Sequence, residues 1–137
     1  MKRIIFVLVM TMMMAFAGVC SAYDGGDLNK EQKVAETFIS SFQGKEAPEF
    51  KVVTKDFAQS LQNNFDEKKY SALKRDVKVN YGNLLEIKFY TFQRFDQGDR
   101  VTYLAGFDKE QAVAIVLSFD KNNKLTDYTL APINTGK

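Results

Sequence analysis

The chain contains no His and no Trp among its 137 residues, and only one Cys and two Pro. Its single Cys and all five Met lie in the first 20 residues. The remainder therefore lacks the imidazole and thiolate groups that zinc, copper and haem sites use, and we expect no cofactor and no metal. Catalysis by Ser-His or Cys-His pairs is excluded for the same reason.

The amino-terminal 22 residues have the pattern of a secretory signal peptide. Lys2 and Arg3 precede an apolar run over residues 4–19, and Cys20-Ser21-Ala22 supplies small residues before a cleavage point after Ala22. We therefore expect an exported protein, periplasmic or extracellular, with no membrane span after cleavage.

Two alternatives remain for this segment. An apolar run of about 18 residues can just cross a bilayer, so an uncleaved anchor is one. The other is a lipoprotein modified at Cys20. Lipoprotein signals usually carry Leu three positions before the cysteine and a small residue directly before it, whereas this chain has Ala17 and Val19 there.

Removal of residues 1–22 leaves 115 residues in which 17 Lys and Arg balance 17 Asp and Glu, because Lys2 and Arg3 are lost. A neutral chain without a basic run lacks the electrostatic footprint of nucleic-acid binding. Its size suits one domain that folds without a disulfide. We divide the chain after residue 22 into a flexible leader (23–28), a single domain (29–132) and a tail (133–137).

Helical periodicity dominates the first half of the domain. Asn29 is the predicted cap of a first helix that ends at Gly44 and buries Phe38. Thr54 is the predicted cap of a second helix. The third is predicted to start at Asp66 and end near Arg75, with Tyr70 and Leu73 directed inward.

From Val77 onward apolar residues alternate with polar or small ones, which predicts four strands in an antiparallel meander. A turn at 95–98 that pairs Phe95 with Asp99 places Ile87 and Phe89 on the face of Tyr103. At Lys121-Asn122-Asn123 two-residue and three-residue loops are both compatible, and they place Tyr128 and Leu130 on opposite faces. The predicted architecture is α+β, with helices on one face of a curved four-stranded sheet.

The element order, with Tyr81-Gly82-Asn83-Leu84 before the first long strand and residues 118–125 between the last two, resembles the exported bacterial domains of unknown function numbered 3887. That family is of the cystatin-like or nuclear transport factor 2-like type. The resemblance covers roughly residues 30–132 and implies a possible pocket between helices and sheet. It supplies no catalytic residues.

Related folds such as ketosteroid isomerase place a carboxylate base and a tyrosine donor in that pocket, so a small cofactor-free isomerase or hydrolase is the alternative function. Tyr70, Tyr81 and Tyr103 are the candidate donors. No base is evident, because the strand carboxylates are expected on the outer face, at strand ends or in turns: Glu86, Asp96, Asp99, Asp108, Asp120 and Asp127. The loop 120–123 lacks the ligand pattern of a calcium site.

The outer face of the predicted sheet is unusually apolar. Four residues are the candidate binding surface: Tyr90, Phe92, Leu104 and Val116. Such a patch indicates an unknown protein partner, a small apolar ligand or a homodimer formed through the sheet. A curled sheet or a register shifted by one residue would remove it. The sequence thus favours an exported, non-catalytic binding or interaction module. A protease inhibitor is less well supported, since the chain has no Gln-x-Val-x-Gly wedge.

Overall fold

The computed structural model describes residues 25–133, which form an α+β fold. Four helices come first: α1 (Gly25–Ile39), α2 (Phe50–Thr54), α3 (Gln59–Asn63) and α4 (Glu67–Tyr81). Four strands follow: β1 (Leu84–Phe95), β2 (Gly98–Phe107), β3 (Val113–Asp120) and β4 (Leu125–Pro132). None of the helices in this range has the length and apolar composition of a membrane span.

Helix α1 starts earlier and ends earlier than predicted. It begins at Gly25, so residues 25–28 of the expected leader are helical and Asn29 is not its cap. It ends at Ile39, and two short 3-10 turns, Ser40–Phe42 and Gly44–Glu46, continue the chain. Residues 1–22 and the predicted cleavage point lie outside the described residues.

The second predicted helix begins later than expected, as α3 at Gln59, and the separate short helix α2 precedes it. Thr54 does not cap a helix; it ends α2, where its buried hydroxyl donates to the carbonyl of Phe50 at 2.9 Å. The start of α4 is confirmed, since Asp66 accepts a hydrogen bond from the Lys69 amide at 2.8 Å. This helix runs to Tyr81 rather than Arg75, because Val77 continues its buried face.

The meander is confirmed, with strand order β1-β2-β3-β4 and antiparallel pairing throughout. Phe95 pairs with Gly98 rather than with Asp99. A side chain at Gly98 would collide with the carbonyl oxygen of Phe119, which explains the glycine. A register shift between Phe89 and Thr91 leaves Tyr90 unpaired, while Phe89 pairs with Tyr103 and so lies on the same face, as predicted.

The structure selects the three-residue alternative for the last turn. Asp120 holds it by accepting from the amides of Asn122 and Lys124, and Asn123 adopts a positive φ of 64°. A register shift between Ser118 and Phe119 then pairs Tyr128 with Leu117 and Leu130 with Ile115, so both lie on the helix-facing side. This orientation adds an aromatic ring to the core.

The core lies between the helices and the inner face of the sheet. Phe38 of α1 is fully buried, and its ring centroid lies 4.8 Å from that of Tyr128 and 5.7 Å from that of Phe42. Phe57 and Phe65 extend this aromatic cluster, and their ring centroids lie 5.3 Å apart. Segment 56–58 also bonds to the start of β4, where Ala58 donates to Leu125 at 2.7 Å. The helical layer is thereby fixed to one edge of the sheet.

Candidate functional site

The four predicted binding residues do not share one surface. Leu104 and Val116 lie on the outer face, beside Ala114 and Thr102. Phe92, in contrast, pairs with the fully buried Val101 and packs against the core. The predicted outer-face position of Phe92 is wrong because the extra residue at Tyr90 reverses the alternation in the second half of β1. The apolar area on the outer face is consequently smaller than expected.

The three candidate tyrosines are separated from one another. Tyr70 donates to the Pro48 carbonyl at 2.6 Å, and burial raises the pKa of its phenol. Tyr103 donates to Glu36 of α1 at 3.0 Å, and burial followed by the Glu36 charge raises the pKa of that phenol. The ring of Tyr81 packs on Phe107 with centroids 5.5 Å apart. Tyr81 and Tyr103 thus join helices to the sheet, whereas Tyr70 joins α4 to the segment before α2.

Asp99 is the strand carboxylate whose position contradicts the sequence interpretation. It lies on the helix-facing side of β2 with only 8% of its surface exposed. Arg94, its cross-strand neighbour, donates to it through Nε at 3.1 Å and through Nη2 at 3.2 Å. Asp108 lies in the turn after β2 and accepts from Asn83, whereas Asp120 ends β3 and accepts from turn amides. Asp99 is thus a structural ion-pair partner.

A second buried carboxyl was missed by the sequence analysis. Glu31 of α1 is fully buried, and neither of its oxygens has a hydrogen-bond partner among the described residues. It lies on the same helical face as Ala35 and Phe38, four and seven residues further on, so the periodicity itself could have indicated its burial. Charged residues occupy such positions only rarely.

The surroundings of Glu31 strongly favour its neutral form. Burial is the largest cause and raises the pKa of Glu31, with help from the Asp99 and Asp27 carboxylates, to about 9. Arg94 acts in the opposite direction. A protonated Glu31 can donate to the neighbouring Asp99, so protonation supplies the missing hydrogen bond.

A polar network continues from this pair to the surface. Arg94 also donates to Asp27 in the first turn of α1 at 3.0 Å, where the helix dipole favours a negative charge. Asn123, in the turn between β3 and β4, donates to the other oxygen of Asp27 at 3.3 Å. The amino end of α1 is therefore attached to two hairpins by polar contacts.

An open groove of about 680 Å³ lies beside this attachment, between α1 and the β3–β4 turn. Its walls carry four lysines, Lys30, Lys33, Lys55 and Lys124. Two carboxylates, Glu36 and Asp56, also line it. Asp56 pairs with Lys55 at 3.7 Å and with Lys124 at 3.5 Å. Lysines thus outnumber carboxylates two to one. We call this cavity the lysine groove.

Glu31 does not line the lysine groove, so its carboxyl is separated from the cavity that a ligand could enter. Over residues 25–133 the acidic side chains form no group of three that could hold a metal ion. Comparison of the chain with family models, curated proteins and solved structures finds no match. The site must therefore be interpreted from its own geometry.

Proposed function

We propose that this chain is an exported, non-catalytic binding module that takes an anionic ligand in the lysine groove. The observation that carries the proposal is the excess of ammonium groups around an open cavity of about 680 Å³. Within the described residues, neither Lys30 nor Lys33 has an ion-pair partner. These two amines are the ones available to a ligand.

The size and chemistry of the groove agree with this function. Its volume lies inside the range of about 300–1,000 Å³ that is usual for small-molecule sites. Lysine ammonium groups are compact point charges that bind carboxylate and phosphate oxygens. Lys55 and Lys124 are partly neutralised by Asp56, which fixes them at the rim. A ligand with several anionic groups would contact both pairs of lysines.

An isomerase or hydrolase is the alternative, and the raised pKa of Glu31 is the observation in its favour. A carboxyl of this kind suits general acid or base catalysis. Proton transfer to a substrate, however, requires contact with it, and Glu31 is fully buried and outside the groove. The geometry therefore supports binding better than catalysis.

Calorimetric titration of the exported protein with citrate and with inorganic pyrophosphate tests the proposed function. We expect binding that weakens as salt is added, because the interaction is between exposed charges. Lys30→Glu combined with Lys33→Glu should weaken it by at least about tenfold, equivalent to about 1.4 kcal/mol.

The matched control is Lys45→Glu combined with Lys68→Glu, which changes the net charge equally at exposed positions outside the groove. It should change the dissociation constant by less than about twofold. If neither probe binds, or if both double variants weaken binding equally, the lysine groove is not a specific site. Mass spectrometry of ligand that co-purifies with the protein would identify the natural anion.

We further propose that the fold is of the cystatin-like or nuclear transport factor 2-like type, as helices on one face of a four-stranded antiparallel sheet support. A homodimer formed through the outer sheet face is also part of the proposal, and it now depends mainly on Leu104 and Val116. Replacing both with Lys should leave the fold intact and shift sedimentation towards monomer. A wild type that is monomeric at every concentration would contradict this.

A further inference from the structure

A second cavity, of about 270 Å³, lies between the 3-10 turn Ser40–Phe42 and α4. It combines an apolar floor with a basic rim. Phe42 and Val77, 6% and 5% exposed, form the floor. Lys74, Arg75 and Lys78 of α4 form the rim. We call it the basic cavity.

Cations predominate in the lining of the basic cavity, and the one carboxylate described beside it is Asp108, next to Gly82 at its back. None of the residues that line it is Asp or Glu. In the part of the chain that the structure describes, Arg75 and Lys78 form no ion pair. Lys74 is held over the ring of Tyr70, 4.2 Å from its centroid, and the Tyr70 hydroxyl is fixed on Pro48. One of the three cations is therefore already oriented at the cavity mouth.

The back of the cavity is equally well defined. Gly82, which ends α4 with a φ of 92°, lines it without a side chain. A side chain there would collide with the carboxylate of Asp108, which Asn83 holds from its amide at 3.0 Å. Ser41, only 1% exposed, places a hydroxyl at the floor that already contacts Tyr70 at 3.2 Å. The rest of the floor offers only apolar contacts to a ligand.

We propose that the basic cavity binds an amphiphile with one anionic head group and a short unbranched apolar chain. The apolar chain contacts Phe42 and Val77, and the head group contacts Arg75 and Lys78. Arg75 can form two parallel hydrogen bonds with a carboxylate or phosphate, which a lysine cannot. Because about 270 Å³ is slightly below the usual range for ligand sites, the chain is short.

This site is distinct from the lysine groove and does not depend on it. The two cavities share no lining residue. The lysine groove has a mixed surface with two carboxylates, whereas the lining of the basic cavity has buried apolar side chains and no acidic residue. The first suits a ligand with several charges, and the second suits one charge attached to a hydrocarbon.

Calorimetric titration of the full exported chain with butanoate, hexanoate and octanoate tests the proposal. Affinity should rise by about fourfold for each CH₂ that enters the cavity, until the cavity is full. Hexyl phosphate, titrated in parallel, distinguishes a phosphate head group from a carboxylate. Arg75→Gln combined with Lys78→Gln should weaken binding of the better probe by at least about tenfold. Both positions are exposed on α4, so the variant should fold.

Two controls make the outcome decisive. Lys30→Glu combined with Lys33→Glu, the variant that disables the lysine groove, should leave binding of these amphiphiles unchanged. Hexanol, which has the chain without the charge, should bind at least about tenfold more weakly than hexanoate. The proposal is overturned if no carboxylate or phosphate amphiphile binds, if hexanol binds as tightly, or if the Arg75 and Lys78 variant binds like wild type.

Discussion

Replacing Glu31 with Gln should stabilise the protein, and the gain should grow as the pH rises. Glu31 is fully buried, and its pKa is raised from the ordinary value of 4.5 to about 9. Between these two values the folded state holds a proton that the unfolded state has released. Stability therefore falls as the pH rises through this window, and the loss is complete above the folded-state pKa.

The size of the effect follows from the same shift. One unit of pKa difference corresponds to about 1.4 kcal/mol, so wild type should lose up to that amount per unit of pH inside the window. At neutral pH the accumulated cost reaches about 3.5 kcal/mol at most. Gln has nearly the shape of protonated Glu and can donate to Asp99, but it does not titrate. Glu31→Gln should therefore remove this pH dependence.

Urea unfolding of both proteins between about pH 5 and about pH 9 measures the difference. The charged groups that face Glu31, Asp27, Arg94 and Asp99, are unchanged in the variant, so the difference isolates one carboxyl. Glu46→Gln, at an exposed position, controls for the loss of a negative charge. A difference in unfolding free energy that stays constant with pH, or a variant less stable than wild type throughout, would refute the reasoning.

Three further predictions follow from the core, the ion pair and the amino terminus. Phe38→Ala should cost about 3–5 kcal/mol in urea unfolding, because the ring is fully buried against Phe42 and Tyr128; a loss below about 1 kcal/mol would contradict its place in the core. Arg94→Met should destabilise by about 1–3 kcal/mol because it leaves Asp99 buried without its cation, and adding Asp99→Asn should recover part of the loss. Mass spectrometry should find a mature protein that begins at or near Tyr23, and a lipid on Cys20 would overturn that expectation.

Regular apolar spacing explains why much of the fold was predictable. The order of helices and strands, the start of α4 at Asp66 and the inward position of Tyr70 all follow from capping and periodicity. The end of α4 was missed because Val77 fits either a helix stripe or the start of an alternating strand. A single apolar residue cannot distinguish these two periods.

Periodicity cannot predict which face of the sheet a residue lies on when the strand pairing shifts register. Two register shifts in β1 are invisible in the sequence, yet the one at Tyr90 moves Phe92 from the outer face to the core. The lysine groove is formed by α1, the segment after α2 and the β3–β4 turn, which are far apart in the chain. Only the tertiary structure brings Lys30 and Lys124 to one cavity, so the site could not be predicted from spacing.

The two ends of α1 are attached to the sheet by different forces. Its carboxyl half carries Phe38 and Ile39, both buried, so hydrophobic contact holds it. Its amino end is held by Asp27, whose two oxygens accept from Arg94 and Asn123. Lys30 and Lys33 of the same helix line the open groove beside this polar attachment. Asp27, which holds the amino end of α1 in place, is also one of the carboxylates that raise the pKa of Glu31 on the next turn of the helix.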